Sequence, residues 1–169
     1  MQLTIRDLSK RYGNGVQALD RVSLAIPPGM FGLLGPNGAG KSTLMRTLAT
    51  LQSADAGTAT FGDIDVLREP ARVRALLGYL PQDFGVYPKV SALDLLDHLA
   101  RLKGIVDAKA RRETVEALLH RVNLHAVRKL MLGGFSGGMR QRFGIAQALL
   151  GDPKLVIVEE KKDVGTVPK

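Results

Sequence analysis

Gly35-Pro36-Asn37-Gly38-Ala39-Gly40-Lys41-Ser42-Thr43 fits the pattern G-x-x-x-x-G-K-[ST] and follows an apolar run, Met30 to Leu34. Glycines at these positions let successive backbone N–H groups converge on phosphate oxygens, and a lysine brings positive charge to the outer phosphates of a nucleoside triphosphate. The Ser42 hydroxyl would hold Mg2+. Thr43 to Ala49 reads as a helix, so the apolar run, the loop and the helix predict the strand, loop, helix order that such a cradle requires. Asn37, Gly38, Ala39, Gly40, Lys41, Ser42 and Thr43 are therefore the candidate nucleotide-binding residues.

Working outward, the 169-residue chain is long enough for one sizeable core, and 45% hydrophobic with 24% charged residues fits an ordinary globular domain. No apolar run approaches the roughly 20 residues of a membrane span, and Met1 to Asp7 lacks the apolar block of a secretory signal, which predicts a cytosolic protein. With no cysteine, disulfides and thiolate metal sites are excluded. A net charge of +8 could draw nucleic acid or an anionic membrane, but the basic residues are scattered and only 5% of residues are aromatic. A solvated basic surface is the expectation, and no nucleic-acid partner.

Leu3 and Ile5, then Val22, Leu24 and Ile26, alternate with polar residues and predict half-exposed strands, punctuated by Gly13-Asn14-Gly15 and Pro27-Pro28-Gly29. Gly57 to Gly62 reads as a further strand, and Arg72 to Leu77 as a short helix leading into Gly78-Tyr79-Leu80-Pro81. Ser91, with Asp94 three residues on, caps a helix carrying Leu95, Leu99 and Leu102 down to Gly104. Val115, Leu118, Leu119 and Val122 form a second stripe, with Lys109, Arg111, Arg112, Glu113 and Glu116 expected to face away from it.

Phe135-Ser136-Gly137-Gly138-Met139 precedes an amphipathic helix with Met139, Phe143, Ala146 and Leu150 on one face. Ser136 can cap that helix, and the unobstructed amides of Gly137 and Gly138 together with the helix dipole favour an anion; alone, the same residues would read as a cap and a turn. Gly151 to Lys154 ends the helix. Leu155 to Val158 is a short continuous apolar run, expected as a buried strand, ending in Glu159 and Glu160. Acids at the C-terminal edge of such a strand stand where parallel α/β sheets place metal and catalytic groups.

Taken in order, Tyr12, Gly35 to Thr43, Gln82, Phe135 to Met139 and the apolar strand with its acids resemble the nucleotide-binding domains of ATP-binding cassette (ABC) proteins over residues 1–160. The resemblance implies an α/β fold with a P-loop NTPase (RecA-like) core, an N-terminal antiparallel β subdomain and a helical insertion near residues 85–135. It also implies binding of ATP with Mg2+. Tyr12 would stack on adenine, Gln82 would reach the metal and the attacking water, Glu160 aligns with the general base, and Glu159 with the acid that holds the hydration shell of the metal. Ser136, Gly137 and Gly138 would contact the γ-phosphate of a nucleotide held by a second cassette, so a homo- or heterodimer completes the sites. A membrane permease is the implied partner, of export type from the style of Leu80 to Asp83 and Phe135 to Arg142, with the cassette peripheral on the inner face of the membrane.

Three departures accompany the resemblance. Phe135 and Met139 stand where leucine and glutamine are usual, and Glu159 stands where aspartate is usual. Beyond Glu160, where the family continues into another buried strand and a switch histidine, the chain has the atypical tail 161–169; His98, His120 and His125 all precede the acids. The expectation is a cassette truncated after its acids, with a sheet incomplete at the C-terminus and marginal stability unless Val164 to Val167 fills the gap. An ATPase powering export is the leading reading; a nucleotide-binding remnant that neither hydrolyses efficiently nor dimerises is the alternative, and a soluble ABC protein of translation or DNA repair ranks last.

Overall fold

A computed structural model of the chain describes residues 1–82, 85 and 87–159. Glu160, the tail 161–169 and Asp83 lie outside the described residues. The chain divides into two compact units, residues 1–77 and 78–169.

In the first unit, alternation becomes strand as expected. Strands β1 (Leu3–Arg11) and β2 (Gln17–Ile26) pair antiparallel, with Leu3 opposite Ile26 and Ile5 opposite Leu24. Strand β3 (Ala56–Phe61) runs antiparallel along the other side of β1, and β4 (Ile64–Asp65) closes the order β2-β1-β3-β4. Leu3 and Ile5 are buried on one face, as a period of two places them, and the irregularity in the β1–β2 register between Ile5 and Leu8, with Asp7 at φ 48°, brings Leu8 into the core as well. The β1–β2 turn is closed by the Tyr12 amide donating to Val16 O at 2.9 Å, with Gly15 in the left-handed region at φ 88°. Asp55, just before β3, accepts from the Arg11 amide at 2.7 Å and from Lys10 Nζ at 2.8 Å, tying the end of β1 to the start of β3. Helices α1 (Lys41–Leu48) and α2 (Pro70–Leu76) complete the unit, α2 with proline in its first turn, where no intrahelical N–H is needed.

Met30 to Leu34 departs from expectation. It joins no strand among the described residues, and Met30, Phe31 and Leu34 are exposed. β-propensity favours an extended backbone, but a strand exists only where a neighbour accepts and donates its main-chain hydrogen bonds.

In the second unit, helices α3 (Ala92–Leu102), α4 (Ala108–Arg121) and α5 (Gly137–Leu149) enclose an apolar core that includes Leu96, Leu119, Leu124, Leu132, Phe135 and Phe143. Ser91 caps α3 as predicted, accepting from the Asp94 amide at 3.1 Å while its hydroxyl donates to Asp94 Oδ2 at 2.6 Å. The buried face of α3 is Ala92, Leu95, Leu96 and Ala100, with Leu102 exposed, so the stripe sits rotated from the one read off Leu95, Leu99 and Leu102. Two charged residues expected on the outer face of α4 turn inward. Arg111 is buried, donating to Asp97 Oδ1 on α3 at 2.7 Å and to Val106 O at 2.9 Å, and Glu116 is half-buried. Strands β5 (Leu77–Leu80) and β6 (Leu155–Val158) form a two-stranded sheet. In β6 only Ile157 is buried, whereas Val156 and Val158 are each 41% exposed, because β6 has a single strand neighbour among the described residues. Among the described residues the sheet of the α/β core is thus incomplete.

Candidate functional site

Candidate residues fall in both units, and each unit holds its own constellation.

In the first unit, Gly35 to Gly40 wraps back on itself through the Ala39 amide donating to Pro36 O at 3.3 Å, and delivers the chain into α1. Gly38 and Gly40 have φ values of 83° and 78°, a left-handed conformation in which a side chain is strained. At Gly40 a Cβ would also collide with the main-chain oxygen of Ala18 on β2 and stand 3.1 Å from Leu19 Cδ2, so only glycine lets the loop pass β2 this closely. Gly40 is the N-cap of α1, and the amides of Lys41, Ser42 and Thr43 in the first turn have no intrahelical acceptor. They converge at the positive end of the helix dipole, a ready anion site. The Lys41 ammonium folds over the loop and donates to Gly35 O and Pro36 O, both at 2.6 Å. Asn37 and Ala39 are exposed in the loop, and Ser42 is exposed at the second position of α1.

Tyr12, 37% exposed, is brought to this loop: its hydroxyl lies 3.1 Å from Thr43 Oγ1 and donates to Gln52 Oε1 at 3.2 Å. The Gln52 amide in turn donates to Thr43 O at 2.9 Å and to Thr47 Oγ1 at 3.1 Å. Gln52 thus ties the aromatic residue to α1, a role that no periodicity or motif in the sequence signals.

In the second unit, Glu159 follows β6, and its amide donates to Leu80 O at 2.9 Å, two residues before Gln82. Gln82, which is exposed, and Glu159 therefore sit at the same end of the β5–β6 pair. The Glu159 carboxylate is buried and accepts from the Tyr79 hydroxyl at 2.6 Å. Tyr79 was not a sequence candidate; a phenol one strand across from an expected acid is the signal that could have marked it. Elsewhere in the unit, Ser136 caps α5 by accepting from the Met139 amide at 3.3 Å, leaving Gly137 and Gly138 exposed in the first turn. Phe135, the residue in place of the usual leucine, is buried and meets Phe143 edge to face at 6.4 Å between centroids and 89° between planes.

An anion cradle entering a helix, a lysine folded over it, and an acid-tipped strand define the chain as a P-loop nucleotide-binding protein of α/β class. Two relatives and one solved structure carry the classification further. The chain is 37% identical over 160 residues to the probable multidrug ABC transporter ATP-binding protein YbhF of Escherichia coli K12, covering 94% of this chain and 28% of that protein. It is 40% identical over 159 residues to the uncharacterized ABC transporter ATP-binding protein YxlF of Bacillus subtilis 168, covering 94% of this chain and 52% of that protein. The fold matches the dimeric ATP-binding cassette MJ0796, in a post-hydrolysis state with ADP and Pi, at a TM-score of 0.81 with 26% identity, over 92% of this chain and 72% of that one. A family model described as ABC transporter matches residues 19–162, and the chain belongs to that family. It spans about a quarter of YbhF and about half of YxlF.

Proposed function

We propose that the chain is the ATP-binding part of a membrane ABC transporter of export type, in which ATP binding and hydrolysis drive transport. The observation that carries this reading is the cradle at Gly35 to Thr43, with left-handed glycines, amides at a helix N-terminus and the Lys41 ammonium at the loop carbonyls. The export assignment is supported by the likeness to YbhF, whose name gives it as a probable multidrug transporter protein. Residues 1–160 are assigned to the cassette, with a helical subdomain near 85–135.

In this reading Asn37 to Thr43 bind the phosphate tail and Tyr12 stacks on adenine. Glu160 is the general base and Gln82 positions the attacking water. Ser136, Gly137 and Gly138 present a second anion-binding helix start to a nucleotide held by another cassette, a role supported by the likeness to a cassette solved as a dimer. Ser42, Gln82 and Glu159 carry hard oxygen donors of the kind that Mg2+ takes. Bound with nucleotide, that ion supplies charge neutralisation on the phosphates. A permease is the partner, with the cassette on the inner face of the membrane; no helix among the described residues is long and apolar enough to cross a membrane.

Calorimetry of the full chain with Mg·ATP, beside phosphate-release measurements, tests the proposal. A hydrogen bond to a charged group contributes about 1.5–3 kcal/mol, so Lys41→Ala is expected to weaken binding by about 10- to 150-fold. An absence of heat with folded wild-type protein, or equal affinity in Lys41→Ala, overturns it.

A further inference from the structure

Glu116, His120 and His125 form a cluster that the nucleotide chemistry does not use. The geometry points to a site for a single transition-metal ion of the zinc class, held by the Glu116 carboxylate and the two imidazoles, at the C-terminal end of α4. One ligand atom from each of the three residues lies within 4.8 Å of the others.

The backbone builds this arrangement. Glu116 and His120 are four residues apart on α4 and share a face. Val122 ends the helix, and Asn123 takes φ 55°, the left-handed conformation that asparagine tolerates after a helix. The Leu124 amide then donates to Leu119 O at 2.8 Å, and the Leu124 side chain is buried in the core of the unit. The next residue, His125, opens a 3-10 turn (His125–Val127) and is carried back over the last turn of α4. Its ring stacks on that of His120 at 3.6 Å between centroids and 16° between planes. His125 Nε2 stands 2.6 Å from Glu116 Oε2.

A second observation marks the cluster as a cation site. Glu116 Oε2 is a buried carboxylate oxygen with no hydrogen-bond partner among the described residues, despite its closeness to that imidazole nitrogen. Buried charged oxygens are ordinarily paired by a donor or a metal. Arg128 faces the other oxygen, Oε1, at 3.4 Å from its Nε, and its Nη1 is committed to His125 O at 2.8 Å. The guanidinium therefore opposes a cation electrostatically but does not occupy the lone pairs of Oε2.

Donor chemistry selects the ion. Mg2+ and Ca2+ take oxygen ligands, whereas two imidazoles and one carboxylate suit Zn2+, Co2+, Ni2+ or Cu2+. Tetrahedral zinc, with bonds of about 2.0–2.2 Å, holds its ligand atoms roughly 3.3–3.5 Å apart, so on binding Glu116 Oε2 and His125 Nε2, now at 2.6 Å, would part by about 0.8 Å while the wider separations, up to 4.8 Å, would close. His120, which is exposed, can supply that movement by turning out of the stack. With three protein ligands the fourth position goes to water. The ion would clamp the turn after α4 onto the helix.

The test is titration of the untagged full chain, free of nucleotide, with Zn2+ alone by calorimetry and with Co2+ alone by visible absorption. One Zn2+ per chain and tetrahedral Co2+ absorption are expected. His120→Asn, at an exposed position that does not disturb the core, and Glu116→Gln are each expected to weaken Zn2+ by at least about 10-fold, the lower end of what loss of a supporting group costs in metal sites. His98→Asn is expected to bind as wild type. A dissociation constant weaker than about 0.1 mM, or variants at Glu116 and His120 that bind as wild type does, would overturn the assignment.

Discussion

Three glycines share one backbone conformation and differ in what surrounds them, so alanine at each separates backbone strain from collision. Gly15, Gly38 and Gly40 have φ values of 88°, 83° and 78°. An L-residue in the left-handed region costs about 1–2 kcal/mol. A Cβ at Gly15 or Gly38 has no heavy atom within 4 Å, so these two variants are expected to lose that amount and little more. At Gly40 the same strain is joined by collision with the Ala18 carbonyl oxygen and close approach to Leu19 Cδ2. That oxygen belongs to β2, which is held in register against β1, so it cannot step aside as a flexible side chain would. Overpacking of this kind adds about 1–3 kcal/mol. The expected loss for Gly40→Ala is therefore about 2–5 kcal/mol, read as a shift in denaturant midpoint at constant slope. Calorimetry with Mg·ATP on the same samples should find weaker binding in both loop variants, because each redirects amides that face the phosphates. A Gly40→Ala loss within about 0.5 kcal/mol of the Gly38→Ala loss would refute the steric argument.

Two further predictions test the helical unit and the sheet. Asp97→Ala removes the carboxylate from Arg111, whose side chain is 7% exposed, while leaving Arg101, whose side chain is 62% exposed, in water. Unpairing a fully buried charge costs about 3–5 kcal/mol; with Asp97 itself 35% exposed and the Val106 carbonyl still accepting, about 2–3 kcal/mol is expected, against under about 0.5 kcal/mol for Arg101→Ala, both by denaturant titration. The Asp55 carboxyl is held below the ordinary carboxylate range by the Arg11 amide first and the Lys10 ammonium second. Its folded-state value is depressed, so its contribution is present above the unfolded pKa and is lost as pH falls through the folded one. The stability difference between wild type and Asp55→Asn is thus expected to be constant near pH 7 and to shrink below about pH 4; a difference that does not vary with pH would contradict it.

Local chemistry was legible in the sequence where a residue acts on its own neighbourhood. Ser91 and Ser136 cap the helices assigned to them, and the glycines before Lys41 take the left-handed conformations that the phosphate-loop pattern requires. What escaped depends on a partner distant in sequence. Arginine on a helix normally faces solvent; the burial of Arg111 follows from Asp97 on another helix, which no spacing within α4 encodes. The same limit hid Gln52, which matters only through Tyr12 and Thr43, and Tyr79, which matters only through Glu159. Met30 to Leu34 and β6 show the converse: apolar content marks a segment for a sheet interior, but burial on both sides comes from neighbouring strands.

The two acceptors that hold the Lys41 ammonium belong to the peptide backbone. No exchange of a side chain at Gly35 or Pro36 can therefore delete them, and the lysine keeps its aim through sequence drift as long as the loop keeps its dihedral angles. Lysine carries about 2 kcal/mol of rotamer freedom, most of it surrendered when the chain folds, before any phosphate arrives. Encounter with ligand then demands little further ordering of that arm, which favours rapid capture.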